Sequence, residues 1–597
     1  MRWLALVIAV GVATIAFGVA ACGRPASPAR VTPSGQVIAS NILRGDYAGS
    51  KACSDCHHDL YTKWAASPMR NMTRDAATAT IRAPFDGAQL RVGSDTATME
   101  SEGGTRYMRV DGASGSHRFK ITKVIGGRYR EDFVGVESGG DGLEHVLPAT
   151  YVFATKAWRY KGYSVMVKER PRMSARGVWS RECIPCHNTL PYVTMLYDEL
   201  YGPGLPGYQG KLSDRVLPPS RTWPAATRDE VGLAKELGHE ISLVGGEPPA
   251  EQDLRAVLPA AANAMRKYFG GSHLVELGVG CEACHNGARE HAEEPSVTPT
   301  FEPKSSLVGI TPPKGQSGTR AQWINRICAK CHTVLFTHYD WTWEGSERNA
   351  QHPGGSSTNS GEGRDFQLGG CSTQMACTTC HDPHTEDPPA KLAAMATPAG
   401  NGVCTSCHKQ MASDKAIELH THHAKDSAGT SCIACHMAKK NMGLDYGLVR
   451  YHRIGSPTET RRVTSDRPLE CALCHADYSV DKILTTMEQW WGKHYDRSAL
   501  VKLYGDDLSV NALRATLERG KPHEQAAAIG VLGEVKDRTA VDALLPMLWH
   551  EYPLVRFYAQ RALQRITGDA VAIDVGGAAA DVKRAAEQWL TTKVARQ

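Results

Sequence analysis

The sequence predicts a mainly α scaffold built on short cysteine–histidine motifs, with a small β-rich insertion and a C-terminal α-helical repeat region. Three observations carry this. The pattern C-x-x-C-H occurs eight times in 597 residues. Glycine-punctuated, β-branched segments fill the interval between the first two occurrences. From about Leu500 the pattern becomes helical and alanine-rich, with no further motif.

At the N-terminus, Arg2 precedes an apolar run from Trp3 to Phe17 and then Val19-Ala20-Ala21-Cys22. This is the layout of a secretory signal peptide, and its end matches a bacterial lipobox, whose cysteine receives lipid and becomes the mature first residue. Residues 1–21 are therefore expected to be a lipoprotein signal peptide, and 22–46, rich in Pro and Ser at first, a tether. No later segment is long and apolar enough to span a bilayer, so attachment is expected through lipid on Cys22.

The apolar fraction of 42% and charged fraction of 22% are those of an ordinary globular chain, but 18 cysteines alongside 24 histidines are not. The motifs are Cys53/Cys56/His57, Cys183/Cys186/His187, Cys281/Cys284/His285, Cys328/Cys331/His332, Cys377/Cys380/His381, Cys404/Cys407/His408, Cys432/Cys435/His436 and Cys471/Cys474/His475. Paired cysteines also build zinc sites, but those do not require histidine directly after the second cysteine. Close cysteine pairs in a disulfide role are usually redox dithiols and not structural staples. The pattern is the attachment signature of c-type haem, in which two thiols reach the two vinyl groups of one porphyrin and the histidine comes up beneath its iron. Eight haem c groups are expected. They use all the cysteines except Cys22 and Cys371, and Cys371 is expected to be a buried free thiol.

The formal charge of +5 is dispersed and carries no nucleic-acid signal. Each ferric haem with two ionised propionates adds about −1, so eight would bring the total to about −3. Sixteen histidines remain beyond the eight in the motifs. His291, His384, His420, His422, His423, His452 and His494 lie beside motifs and are the candidate ligands for the opposite face of the irons, with at least one of the His420–His423 group expected to serve elsewhere.

Successive first cysteines are 130, 98, 47, 49, 27, 28 and 39 residues apart, so the motifs crowd toward the second half. There the porphyrins themselves must form the core around which short helices wrap. Residues 47–81 form a first haem segment. The β-rich insertion is expected over 82–170, carried by RYMRV, HRFKITKV, DFVGV and YSVMVK. A multihaem cytochrome domain follows over 171–499. Over 500–597, Ala528, Ile529 and Leu532 recur as Ala562, Leu563 and Ile566 at an offset of 34, which resembles HEAT-like repeats. These would hold a partner or simply cap the haem domain.

From Ala48 to about Trp491 the chain resembles the octahaem cytochromes c with a C-terminal helical-repeat region, in the superfamily that includes hydroxylamine oxidoreductase and cytochrome c-554. The stretches that carry the resemblance are YAGSKACSDCH, GVGCEACHNGAREH, MACTTCHDPH, HTHHAKDSAGTSCIACHM and LECALCHAD. It implies a helical multihaem cytochrome c scaffold with stacked haem pairs and distal histidines at His291, His384, the His420–His423 cluster and His452. One departure is that the family's W-x-x-S-x-H reads Trp64-Ala65-Ala66-Ser67-Pro68-Met69 here, which makes Met69 a candidate axial ligand of the first haem.

The resulting expectation is a periplasmic or cell-surface electron-transfer cytochrome, an outer-membrane lipoprotein exchanging electrons with redox protein donors and acceptors. The alternative is an octahaem oxidoreductase acting on a small nitrogen or sulfur oxyanion at a five-coordinate haem. No motif ends in lysine, the mark such enzymes often carry, and no catalytic residue stands out.

Overall fold

Alternation of apolar and polar residues between Thr73 and Tyr160 produces one nine-stranded antiparallel sheet. The computed structural model describes residues 34–161, 172–201, 221, 223–267, 272–332 and 361–594, apart from 176, 183 and 444. The strands are β1 (Thr73–Asp75), β2 (Gln89–Val92), β3 (Asp95–Glu102), β4 (Thr105–Gly112), β5 (Gly115–Gly126), β6 (Arg130–Glu137), β7 (Glu144–Val146), β8 (Ala149–Val152) and β9 (Ala157–Tyr160). They run in the order β2-β3-β4-β5-β6-β8-β9, with β1 on β5 and β7 on β6. Glu102 pairs with Thr105 across Gly103-Gly104, both at positive φ, as a tight hairpin matched to strand twist requires.

Met99, Met108, Phe119, Phe133 and Leu147 fill the interior of the sheet. Val92 on β2 and Tyr160 on β9 join one apolar cluster, which brings the two ends of the sheet together and nearly closes it. RYMRV, HRFKITKV and DFVGV fall on β4, β5 and β6 as expected, whereas YSVMVK lies outside the described residues. The sheet begins at Thr73, ahead of the expected start at 82. Helix exceeds strand, 43% against 16%, but the sheet is larger than a small insertion, so "mainly α" holds only in part.

Helices Glu230–Leu243 and Leu254–Lys267 pack together through Leu233, Leu237, Ile241, Val257 and Ala261. The Asp229 side chain caps the first of these, accepting from the Gly232 N–H at 2.9 Å. Residues expected to belong to a tether instead pack where they are described: Ile38 and Ile42 are buried, and Ile38 N–H donates to the Thr298 carbonyl.

The C-terminal helices Ala512–Arg519, Pro522–Glu534, Pro553–Thr567 and Ala579–Val594 share their core with residues well before 500. Met442, Leu469, Ile483, Leu532, Leu563 and Ala586 belong to one continuous cluster. The expected boundary at 500 is therefore not a break in packing. Gly533 sits where an added Cβ would come within 2.8 Å of Ala562, so the helices bearing the 34-residue echo cross at a glycine–alanine contact.

The segment with the densest motifs is built differently. Between Phe366 and Ala438 no apolar side chain is buried. Its short helices Pro389–Met395, Gly402–Thr405, Asp414–Thr421 and Cys432–His436 contribute nothing to an apolar core of their own. Among the described residues no helix is long and apolar enough to cross a membrane. Cys22 and the lipobox lie outside the described residues.

Candidate haem sites

Each attachment motif needs both cysteines and the histidine on one side of the chain, and a single helical turn provides this. In four motifs the histidine N–H donates to the carbonyl of the first cysteine: His57 to Cys53 at 2.9 Å, His381 to Cys377 at 3.2 Å, His408 to Cys404 at 3.0 Å and His475 to Cys471 at 2.9 Å.

Long-range packing then brings a second imidazole opposite five of the eight motif histidines. Ring centroids are 6.2 Å apart for His57 and His291, 6.4 Å for His285 and His384, 6.4 Å for His381 and His452, 6.2 Å for His436 and His420, and 5.9 Å for His475 and His423. Two imidazoles binding one metal from opposite faces, each nitrogen about 2.0 Å from it, place their centroids about 6 Å apart. The ring planes are inclined by 8° to 33°. This arrangement fits a six-coordinate haem iron.

The hydrogen bonds of the rings fit as well. A histidine that binds metal through one nitrogen usually donates the other N–H to a carbonyl or carboxylate. Nδ1 lies beside the carbonyl of Val297 for His291 (2.8 Å), of Thr421 for His423 (2.6 Å), of Gly455 for His436 (2.9 Å) and of Arg450 for His452 (3.1 Å). Carboxylates take this place for His381 (Asp387, 2.7 Å), His384 (Asp382, 3.3 Å) and His332 (Glu362, 3.3 Å). In each case Nε2 is left for the metal.

Electrostatics keep most of the affected rings neutral, the form a metal requires. Burial, reinforced by His384 and Arg320, pushes His285 down to about 4. Burial, reinforced by Lys161, does the same to His187, also at about 4. His436, His452 and His475 are lowered chiefly by burial. His332 differs: burial works against its charge, but the Glu362 carboxylate outweighs this and raises it to about 9.

The thiols reveal how the motifs adjoin. Cys53 is hydrogen-bonded to Cys281, Cys186 to Cys331, Cys328 to Cys377 and Cys404 to Cys432. Cys284 lies within electrostatic reach of Cys328, Cys404 of Cys380, and Cys471 of Cys435. The motifs thus connect in the order first, third, fourth, fifth, sixth, seventh, eighth, with the second joining at the fourth.

Cys56 is exposed, and so are Cys407 and Cys474. All three are the second cysteine of their motif. Cys53 and Cys404 meet Cys281 and Cys432 of neighbouring motifs, whereas Cys471 and Cys474 both lie within electrostatic reach of Cys435. The first motif meets the third through Cys53 and Cys281, and the Ala48 and Gly49 N–H groups donate to the Glu282 carboxylate. Cys371 is not fully buried as expected; it is half-buried and close to Cys404 and Cys407. Cys183 lies outside the described residues.

The candidate ligands divide as follows. His291 faces His57, His384 faces His285, His420 faces His436, His423 faces His475 and His452 faces His381. His422 stacks on Trp490 at 4.6 Å. It ends helix Asp414–Thr421 in a left-handed conformation, which turns His420 and His423 toward different motifs. Two ligand expectations need correction. Met69 does not face His57, because His291 occupies that position, while the Met69 carbonyl accepts from the Val279 and Met72 N–H groups. His494 is 96% exposed, with only Glu488 near its ring at 3.9 Å, because it lies beyond the end of helix Val480–Trp491. Sequence reasoning missed the Nδ1 partners Asp382, Asp387 and Glu362, which carry no motif of their own.

A family model described as a doubled CXXCH motif matches residues 371–413, covering the fifth and sixth motifs. No curated protein matches the chain. Among solved structures, the crystal structure of the outer cell wall cytochrome OcwA aligns over 87% of this chain and 100% of its own, at 13% identity and a TM-score of 0.34. The doubled attachment motif indicates covalently bound c-type haem, and the same motif recurs along the sequence, as it does in multihaem c-type cytochromes.

Proposed function

We propose that the protein holds eight haem c groups and relays electrons along them outside the cytoplasm. The observation that carries this reading is the set of five opposed imidazole pairs, in a chain whose attachment turns adjoin one another at Cys53–Cys281, Cys328–Cys377 and Cys404–Cys432. Bound haem supplies an iron that exchanges one electron between its ferric and ferrous states. The chain contributes ligands, orientation and exclusion of water. Paired histidines from distant segments hold both faces of an iron, and their Nδ1 partners fix each ring. Six-coordinate sites of this kind exchange electrons without binding substrate.

In this reading the donors and acceptors are redox proteins, and lipid on Cys22 tethers the chain at the periplasmic or outer face of a membrane. Of the C-terminal helices, Ala579–Val594 is the exposed one and would meet a further protein partner. The oxidoreductase alternative needs an iron with one open face. Since His57, His285, His381, His436 and His475 each face another imidazole, it is confined to the sites of His187, His332 and His408. Mixing the fully reduced protein with a one-electron oxidant too large to enter the fold decides between them. A relay empties all its haems through the exposed sites in one concerted decay. Haems that stay reduced while others oxidise contradict the relay.

A further inference from the structure

The first N–H of a helical turn has no partner within that turn and needs an acceptor from elsewhere. In three attachment turns the residue immediately before, Gly280, Ala376 or Ser431, makes no side-chain cap. The acceptor comes from another motif. Cys281 N–H donates to Ser50 Oγ at 2.9 Å, Cys377 N–H to Asn325 Oδ1 at 2.9 Å, and Cys432 N–H to Asn401 Oδ1 at 2.8 Å.

Ser50, Asn325 and Asn401 occupy the same place in their own motifs, three residues before Cys53, Cys328 and Cys404. Each motif that gives this side chain is also in thiol contact with the motif that receives it: Cys53 with Cys281, Cys328 with Cys377, Cys404 with Cys432. Both asparagines close a second bond, Asn325 Nδ2 to the Met375 carbonyl at 2.9 Å and Asn401 Nδ2 to the Thr430 carbonyl at 2.8 Å. Those carbonyls lie two residues before the receiving cysteine. All three side chains are buried, Ser50 at 1%, Asn325 at 3% and Asn401 at 7% exposure. The receiving motif makes room for the first of these side chains: at Gly280 a Cβ would come within 2.8 Å of Ser50 Oγ.

We propose that Ser50, Asn325 and Asn401 are positioning residues, each capping the attachment turn of a second motif and thereby fixing two neighbouring haems as one electron-transfer pair. This rests on the haem reading above. Neither asparagine is one of the histidine ligands, so their effect runs through the backbone of the attachment turn. Because tunnelling falls steeply with separation, a small slip between the two turns slows exchange within that pair and leaves the others untouched.

The test uses the full-length holoprotein with Asn401→Ala and Asn401→Ser, the latter supplying the hydroxyl that Ser50 already uses. Haem content is measured first, then a redox titration followed by electron paramagnetic resonance, then electron exchange after flash photoreduction. The expected result for Asn401→Ala is a full haem complement, altered midpoints for two haems only, and exchange within that pair slowed about tenfold. Asn401→Ser restores the midpoints and brings exchange to within about twofold of the parent. Wild-type midpoints and rates in a fully loaded Asn401→Ala protein overturn the proposal. If Asn401→Ala fails to load haem, Asn401→Ser decides: full loading with near-parent exchange supports the proposal, and failure to load or slowed exchange overturns it. A parent protein lacking the expected haems would sink the haem reading and not the capping alone.

Discussion

The segment from Phe366 to Ala438 and the layer of C-terminal helices follow one another closely in sequence, yet they are held together by different means. In the first, between those two residues, no apolar side chain is buried, and Leu419 stands 68% exposed on its helix. In the second, Ile529, Leu532, Leu544, Val555 and Leu563 are fully buried in one cluster. The helical layer is stabilised in the ordinary way, by apolar area removed from water. The motif segment is a shell of short turns whose interior is to be completed by covalently attached porphyrin faces.

The sharpest way to break this contrast is to produce the chain without haem attachment and subject it to limited proteolysis. Cleavage is expected throughout 371–436, with the helices from 480 to 590 protected. Equal protection of both regions would show that the motif segment folds without its cofactors. A smaller effect is expected from Leu563→Ala. Removing that side chain from the shared core should cost about 2–5 kcal/mol in denaturant melts while leaving the haem absorption spectrum unchanged. A large spectral change would mean that the helical layer and the haems are not separable.

Acid sharpens the comparison in a third region. Burial alone would raise the Asp132 carboxyl in the sheet, but Arg130 and Lys161, helped by the Thr150 hydroxyl, hold it at about 2. Arg130 Nε lies 3.1 Å and Lys161 Nζ 3.8 Å from this carboxylate. A carboxyl with a lowered folded-state value contributes stability above its unfolded value of 3.8, and this is lost as pH falls toward 2. The contribution is about 2 kcal/mol. Burial instead raises Glu524 and Glu470, which pair with Arg467 and Arg462 beneath the helical layer, so acid does not weaken that layer through them. Hydrogen exchange between pH 4 and 2 should show the sheet opening first. If the helical layer opens first, this assignment of roles fails.

Much of this was legible in the sequence, because a haem attachment site is a local instruction confined to five residues. The sheet was legible for a similar reason, since glycine turns and alternation are short-range signals. The pairing of histidines was not. His291 follows its nearest motif by six residues but faces His57, and His452 precedes Cys471 but faces His381. His291, His384, His423 and His452 each face a motif other than the one they adjoin, because so short a stretch of chain cannot fold around a porphyrin to reach the far side of its own iron, whereas His420, twelve residues before Cys432, faces His436 of that motif. The substitution of Met69 for histidine pointed to an altered first haem only so long as His291 could not be placed. Nor does the motif say which other motif it meets: Cys53 lies against Cys281 of the third motif, although the second is nearer in sequence. The boundary at 500 was drawn from composition, which does not register that Met442, Leu469 and Ile483 share a core with Leu532 and Leu563.

The central claim is that paired histidines from distant segments hold irons on both faces along a continuous relay. The most direct test combines a haem count by mass spectrometry with electron paramagnetic resonance of the fully oxidised protein. The account predicts eight covalently attached haems, with low-spin signals from at least the five sites of His57, His285, His381, His436 and His475, and conversion of one of these to high spin in His423→Ala but not in His494→Ala. Fewer than eight haems, or an unchanged spectrum in His423→Ala, would contradict it.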